Sequence, residues 1–172
     1  MKINDELYET MLSAGKDALL GGSYKNLTIR YIAEKCAVSV GTVYNCFASK
    51  EMLVATIMLR DWVGLMKKAE SEIALANSCA DGFEVVFNIV RCFVETYHGV
   101  FEESGVVIGM HVEQHEKLIG QLGCLIRGLL DRVGKDTTPD PTRFLAETIL
   151  LSGCRRTLAF DDIRVFLERI AG

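Results

Sequence analysis

A short run, Ser39-Val40-Gly41-Thr42-Val43-Tyr44-Asn45-Cys46, concentrates the chain's outward chemistry. At helical spacing, Val40, Thr42, Tyr44 and Asn45 face outward. They are small or hydrogen-bonding where a helix used only for packing would need bulk. Asn can pair with the edge of adenine and Val can touch a thymine methyl, so Val40 and Asn45 are candidates for base edges. A second set could hold a metal. His111 and His115 are four apart with Glu113 and Glu116 nearby, and His98 lies upstream. Position 112 is Val, so the spacing does not make an HExxH motif, and no matching Cys/His pair stands elsewhere. These histidines therefore read as a polar helix face, with no metal expected. There is no Gly-rich phosphate loop, no nucleophile elbow and no Ser/His/Asp grouping that helices would assemble. No enzyme activity and no cofactor are expected.

The elements that position the first set are legible. Thr28 is an N-cap before Ile29, Ile32 and Ala33, and Ser39 caps the short helix that follows. Two short helices joined by a tight turn form a helix-turn-helix, whose second helix can lie in the DNA major groove. Phe47 anchors its end, and Ser49-Lys50-Glu51 opens a long helix. Upstream, a helix from about Asp5 to Leu20 carries an apolar stripe of Leu7, Met11, Ala14 and Ala18. Gly21-Gly22 stops it.

The segment from Leu27 to Leu53 resembles the DNA-binding domain of the TetR family of bacterial transcriptional regulators. The matching residues are Thr28, Ile32-Ala33, Val38-Ser39, Gly41-Thr42-Val43-Tyr44, Phe47, Ser49-Lys50-Glu51 and Leu53. Ala18-Leu19 and Tyr24 fit the family's first helix and the turn after it. The chain departs at Ala37, where the family usually has Gly, at Ser23, and at Asn45 and Cys46. The resemblance implies that Thr28, Ser39, Gly41, Thr42, Tyr44 and Lys50 contact phosphate or lie against the groove. It also implies a homodimer on a palindromic operator in double-stranded DNA, a small-molecule effector, and a cytoplasmic location. The expected function is a repressor released by its ligand. The alternatives are a helical interaction protein whose reading head no longer works, and a regulator responding to metal or thiol oxidation.

Composition is compatible with this reading. The 172 residues are 49% hydrophobic and 24% charged, with a net charge of −4. Residues 1–50 hold six Lys/Arg against five acids, so the acid excess lies downstream. The six cysteines (36, 46, 79, 92, 124 and 154) form no close pair and read as reduced, partly buried thiols. The start MKINDELYET is not a signal peptide. No apolar run approaches the roughly 20 residues that span a membrane.

The remaining chain reads as helical throughout. The long helix from Ser49 keeps phase to about Ala76. Asp81 is the expected cap of a helix from Gly82 to Phe101, apolar on most sides. Further helices are expected over Val106–Glu116, Leu118–Val133, Pro141–Arg156 (capped by Asp140) and Asp162–Ile170. The last has Ile163, Phe166, Leu167 and Ile170 inside. The fold class is all-α with about nine helices. Residues 1–48 form a helix-turn-helix domain, and residues 49–172 a sensing and dimerisation domain. Trp62, Met66, Phe87, Val90, Val94, Tyr97, Met110 and His111 are candidates for an apolar ligand pocket. Leu118, Leu122, Leu125 and Leu129 form one candidate dimer stripe, beside Ile126. Phe144, Leu145, Thr148, Ile149 and Ser152 form another.

Overall fold

The computed structural model describes residues 5–21, 24–104, 112–134, 140–155 and 159–171. Nine helices and no strand are present among the described residues. They are α1 (Asp5–Gly21), α2 (Ile29–Lys35), α3 (Val40–Cys46), α4 (Lys50–Ala74), α5 (Cys79–Thr96), α6 (His98–Ser104), α7 (Val112–Val133), α8 (Thr142–Arg155) and α9 (Phe160–Ala171). The chain forms two compact units. Unit 1 is Met1–Asp61 with Tyr97–Met110, and unit 2 is Trp62–Thr96 with His111–Gly172. Among the described residues no helix is long and apolar enough to cross a membrane.

In unit 1 the caps follow the sequence. The Thr28 hydroxyl accepts the Tyr31 N–H at 3.0 Å, and Ser39 Oγ accepts the Thr42 N–H at 3.1 Å. Ser49 Oγ accepts the Met52 N–H at 3.2 Å and starts α4. Between α2 and α3, Val38 N–H reaches the Ala33 carbonyl at 2.9 Å and Ala37 N–H reaches that of Glu34 at 3.2 Å. This is a Schellman motif, and it places Ala37 at φ +53°, where glycine is the usual occupant. A Cβ there costs on the order of 1 kcal/mol.

The buried stripe of α1 differs from the expected one. It runs through Met11, Leu12, Gly15 and Leu19, while Leu7, Ala14 and Ala18 are half-buried. Gly15 explains the rotation. A Cβ built on it would stand 2.7 Å from Ile57 Cδ1, so α4 packs against bare backbone at that point. Two ion pairs flank this contact, Lys16–Asp61 at 2.7 Å and Arg60–Glu9. Tyr8 of α1 stacks on Phe47, with ring centroids 5.0 Å apart.

Unit 2 is organised around α5, which packs against α7, α8 and α9. Its buried residues include Phe83, Val86, Phe87, Val90, Phe93 and Val94, while Glu84, Asn88, Arg91, Cys92 and Glu95 line an exposed stripe. The helix is therefore amphipathic, not apolar on most sides as its sequence suggested: residues at spacings of three and four keep one polar face in solvent. Gly82 lets the Leu129 side chain reach its backbone, and Gly153 does the same for Val94. Across α7 and α8, Arg143 holds Glu116 through two hydrogen bonds of 2.9 and 2.6 Å, and His115 Nε2 meets Glu147 at 3.1 Å. Arg132 donates to the Ile73 carbonyl at 3.0 Å, satisfying an end group of α4.

Several boundaries differ from expectation. Ser78, not Asp81, caps α5: its Oγ accepts the Asp81 N–H at 3.1 Å. Asp81 lies in the first turn, where its charge suits the helix dipole. The expected helix to Phe101 is broken at Tyr97, whose carbonyl accepts the N–H groups of Val100 and Phe101 and opens α6. Residues 112–133 form one helix with no break between Glu116 and Leu118; a Glu113–Lys117 pair at 2.9 Å spans that point. Asp140 does cap α8, accepting the Thr142 N–H at 2.9 Å. The expected stretch 106–111 and the side chains of Phe166, Leu167 and Ile170 lie outside the described residues.

Candidate nucleic-acid interface

Helix α3 separates its residues cleanly. Val43 is fully buried and Cys46 half-buried, while Gly41 and Asn45 are exposed, with Val40 at 41% and Tyr44 at 52% exposure. Positions 40, 41, 44 and 45 share one helix face, since residues four apart overlie one another. The structure therefore brings Val40, Gly41, Tyr44 and Asn45 together on an outward surface. Exposed apolar and aromatic side chains of this size on a short helix need a reason, because the same helix already buries Val43 as its core contact. Thr42 is half-buried, and its hydroxyl lies 2.8 Å from Ser39 Oγ. Its hydroxyl and that of Ser39 thus form one exposed hydrogen-bonding pair at the helix start. Gly41 meets nothing but Ser39 Oγ near its missing Cβ, at 3.7 Å, leaving the helix backbone open to close approach.

Thr28 is exposed at the start of α2 and uses its hydroxyl as a cap. Arg30, two residues on, was not among the sequence candidates. Its side chain is 84% exposed and only loosely paired with Glu34 at 3.6 Å. The signal that marks it is a cation in the first turn of a capped helix beside the reading helix.

Lys50 sits differently from the other candidates. Its Nζ donates to the Tyr24 carbonyl at 2.5 Å and lies 3.7 Å from the centre of the Tyr24 ring. The Tyr24 hydroxyl donates to Glu51 Oε1 at 3.2 Å. Burial, then the Glu51 charge, holds the Tyr24 hydroxyl above its ordinary value, and a hydrogen bond from Ser49 holds Glu51 below the usual carboxylate range. Lys50 thus pins the start of α4 to the turn after α1, with its ammonium half-buried.

The pocket candidates are buried. Trp62 has no accessible surface, Met66, Phe87, Val90 and Val94 are each within a few per cent of that, and Tyr97 is at 1%. Trp62 meets Phe93 edge-on, centroids 4.9 Å apart, and its indole N–H has no hydrogen-bond partner among the described residues. The hydroxyl of Tyr97 donates to Asp61 Oδ2 at 2.6 Å; burial first, then Asp61, raises it far above the ordinary tyrosine value. Met110 and His111 lie outside the described residues. An open groove of about 200 Å³ lies between α1 and α4, lined by Leu12, Ser13, Ile57 and the two flanking ion pairs.

Among the dimer candidates, Leu118, Leu122, Leu125, Leu129, Leu145, Ile149 and Ser152 are buried within the chain. Thr148 is half-buried, and Phe144 is 65% exposed. Leu151, seven residues after Phe144 and 42% exposed, shares its face. Among the described residues no group of three or more His, Cys, Asp or Glu could hold a metal ion. The described cysteines are free thiols; Cys36, Cys46 and Cys79 are raised above the ordinary thiol value by burial, and Cys92 and Cys124 are exposed.

Residues 12–57 match the family model for bacterial regulatory proteins of the tetR family. The HTH-type transcriptional regulator UidR of Escherichia coli strain K12 is 26% identical over 103 residues, which are 60% of this chain and 49% of UidR. The match thus spans about half the length of the curated relatives. Two solved structures share the fold. The fatty acid degradation regulator FadR of Bacillus halodurans superposes with a TM-score of 0.57 at 14% identity, over 99% of this chain and 95% of that one. FadR of Bacillus subtilis, solved in complex with stearoyl-CoA, gives 0.60 at 12% identity, over 95% and 97%. The segment 12–57 is thus similar to bacterial regulatory proteins of the tetR family, and the chain shares the fold of the two solved FadR structures.

Proposed function

We propose that this protein is a homodimeric, ligand-responsive transcriptional regulator acting in the cytoplasm, a repressor that leaves its operator when an effector binds. The observation that carries the reading is the outward face of Val40, Gly41, Tyr44 and Asn45 on a capped α3 whose opposite face buries Val43. Residues 1–48 read DNA, and residues 49–172 sense and dimerise. Val40 and Asn45 meet base edges. Thr28, Ser39, Thr42 and Tyr44 lie on phosphate or against the groove, with Arg30 alongside. Lys50 acts by fixing the turn at Tyr24, so its phosphate contact is secondary.

The effector site is built around Trp62 with Met66, Phe87, Val90 and Val94. The indole N–H of Trp62 suits a single hydrogen-bond acceptor on an otherwise apolar molecule, because a buried donor left unpaired costs about 1–3 kcal/mol. That FadR of Bacillus subtilis was solved with stearoyl-CoA supports a ligand with a long apolar part. The dimer forms through the exposed side of α8, with Phe144, Thr148 and Leu151, since side chains already covered within the chain have little left to offer a partner. The effector acts by its difference in affinity between two states of the protein.

The test is retention of fragmented genomic DNA by the purified chain across a salt series, with the Tyr44→Ala/Asn45→Ala variant alongside. A few fragments should be retained, less as salt rises, and none by the folded variant. Equal retention by both proteins would overturn the reading.

A further inference from the structure

The chain leaves unit 1 after Asp61 and re-enters it at Tyr97, and these two residues are hydrogen-bonded to each other. The Asp61 carboxylate is also held by Lys16 of α1, with Nζ 2.7 Å from it. One carboxylate therefore joins α1, α4 and the break between α5 and α6. Tyr97 is 1% exposed, so its hydroxyl cannot exchange this partner for water without the ring moving. From Lys16 the route continues along α1 to Tyr8, which stacks on Phe47, the residue that ends α3.

We propose that the Asp61 carboxylate is a latch through which the junction at Tyr97 sets the position of α1 and, through Tyr8 and Phe47, of the reading helix. The inference deepens the regulator reading by naming this chain's coupling residues. Asp61, Lys16 and Tyr97 are positioning residues: none lies on the reading face. The neighbouring Arg60–Glu9 pair ties α1 to α4 but does not reach the junction, so it maintains packing without carrying the coupling. A contiguous chain of contacts is a physical route for coupling only if both ends respond when it is cut.

The test cuts it from both ends. Tyr97→Phe removes one hydroxyl and keeps the ring. A hydrogen bond to a charged group is worth about tenfold or more in an opening equilibrium. In the variant, amide hydrogen exchange across α1 and α3 should therefore quicken by about tenfold, with α7 unchanged. Lys16→Met cuts the other end, and the Val100 and Phe101 amides, which bond to the Tyr97 carbonyl, should then exchange faster. In the double variant the two effects should be non-additive. Affinity for an operator fragment selected from genomic DNA by the unmodified chain should fall at least about fivefold in Tyr97→Phe, at a temperature where circular dichroism shows it folded. Unchanged exchange in α1 and α3 of the folded Tyr97→Phe protein overturns the latch. If that variant does not fold, unchanged exchange at Val100 and Phe101 in Lys16→Met overturns it instead. If the unmodified chain selects no DNA, the regulator reading fails while the exchange measurements still decide the latch.

Discussion

The two units differ in what holds their residues in place. Unit 1 is a small helical head whose outward chemistry is fixed by short-range hydrogen bonds: Thr28 to Tyr31, Ser39 to Thr42, Ser49 to Met52. Unit 2 is set by volume, with the buried face of α5 packed against three helices and glycines at the closest approaches. A surface made by caps can change its outward side chains without touching the core. A core made by interlocking volume cannot change one side chain without disturbing its neighbours. Function should therefore be separable from stability in the first unit and hard to separate in the second.

The strongest way to sharpen that contrast is Trp62→Ala. Emptying a fully buried indole site should lower the unfolding free energy by about 3–5 kcal/mol in a urea titration; a loss under about 1 kcal/mol would mean that packing does not organise unit 2. In the head, Tyr44→Ala/Asn45→Ala should leave the urea midpoint in place while operator affinity drops by about 10- to 100-fold. A matching drop in stability would erase the distinction. Ser39→Ala removes a cap and should cost about 1 kcal/mol, visible as a lower melting temperature. Ala37→Gly should act in the opposite direction, raising stability by about 0.5–1 kcal/mol, because φ +53° is easier for glycine. An unchanged or lower melting temperature would show that the Schellman turn carries no strain.

The smallest effect expected is that of acid. Glu51, through Ser49, Glu116, through Arg143, and Asp140, through Thr142, are all held below their ordinary carboxylate values. A carboxyl whose folded value is depressed stabilises the fold above its unfolded value, and that stabilisation disappears as pH falls through the folded value. The melting temperature should stay level from pH 7 to about 5 and decline below about 4. The decline should be shallow, because the groups are exposed and screened by solvent. A rise in stability on acidification would contradict the assignment of these partners.

The sequence made the head legible because its signals are local. A capping hydroxyl and the amide it satisfies lie three residues apart, and the outward face of α3 follows from the 3.6-residue repeat. The buried face of α5 was legible for the same reason, but the helix is not apolar on most sides: Glu84, Asn88, Arg91, Cys92 and Glu95 are exposed. What stayed hidden depends on distant partners. The stripe of α1 turns toward Leu12 because Gly15 meets Ile57, more than forty residues away. The break at Tyr97 goes with a hydroxyl drawn to Asp61, and periodicity runs through it unbroken. Lys50 reads as a free cation until Tyr24 folds over it. The apolar stripes on α7 and α8 looked like a surface for a partner, yet the chain covers most of them itself. Apolar periodicity says that a face is covered without saying by what.

Trp62 has one more consequence. It is the chain's only tryptophan, it has no accessible surface, and it is the first residue of α4 beyond Asp61. The protein thus carries a single optical reporter sealed in apolar surroundings, whose emission should be blue-shifted in the native state and move to the red only when unit 2 opens. Fraying of the reading head should leave it silent. Tryptophan emission and far-ultraviolet circular dichroism, recorded on one denaturation series, would then trace two different curves if the two units come apart separately, and a single curve if they melt together.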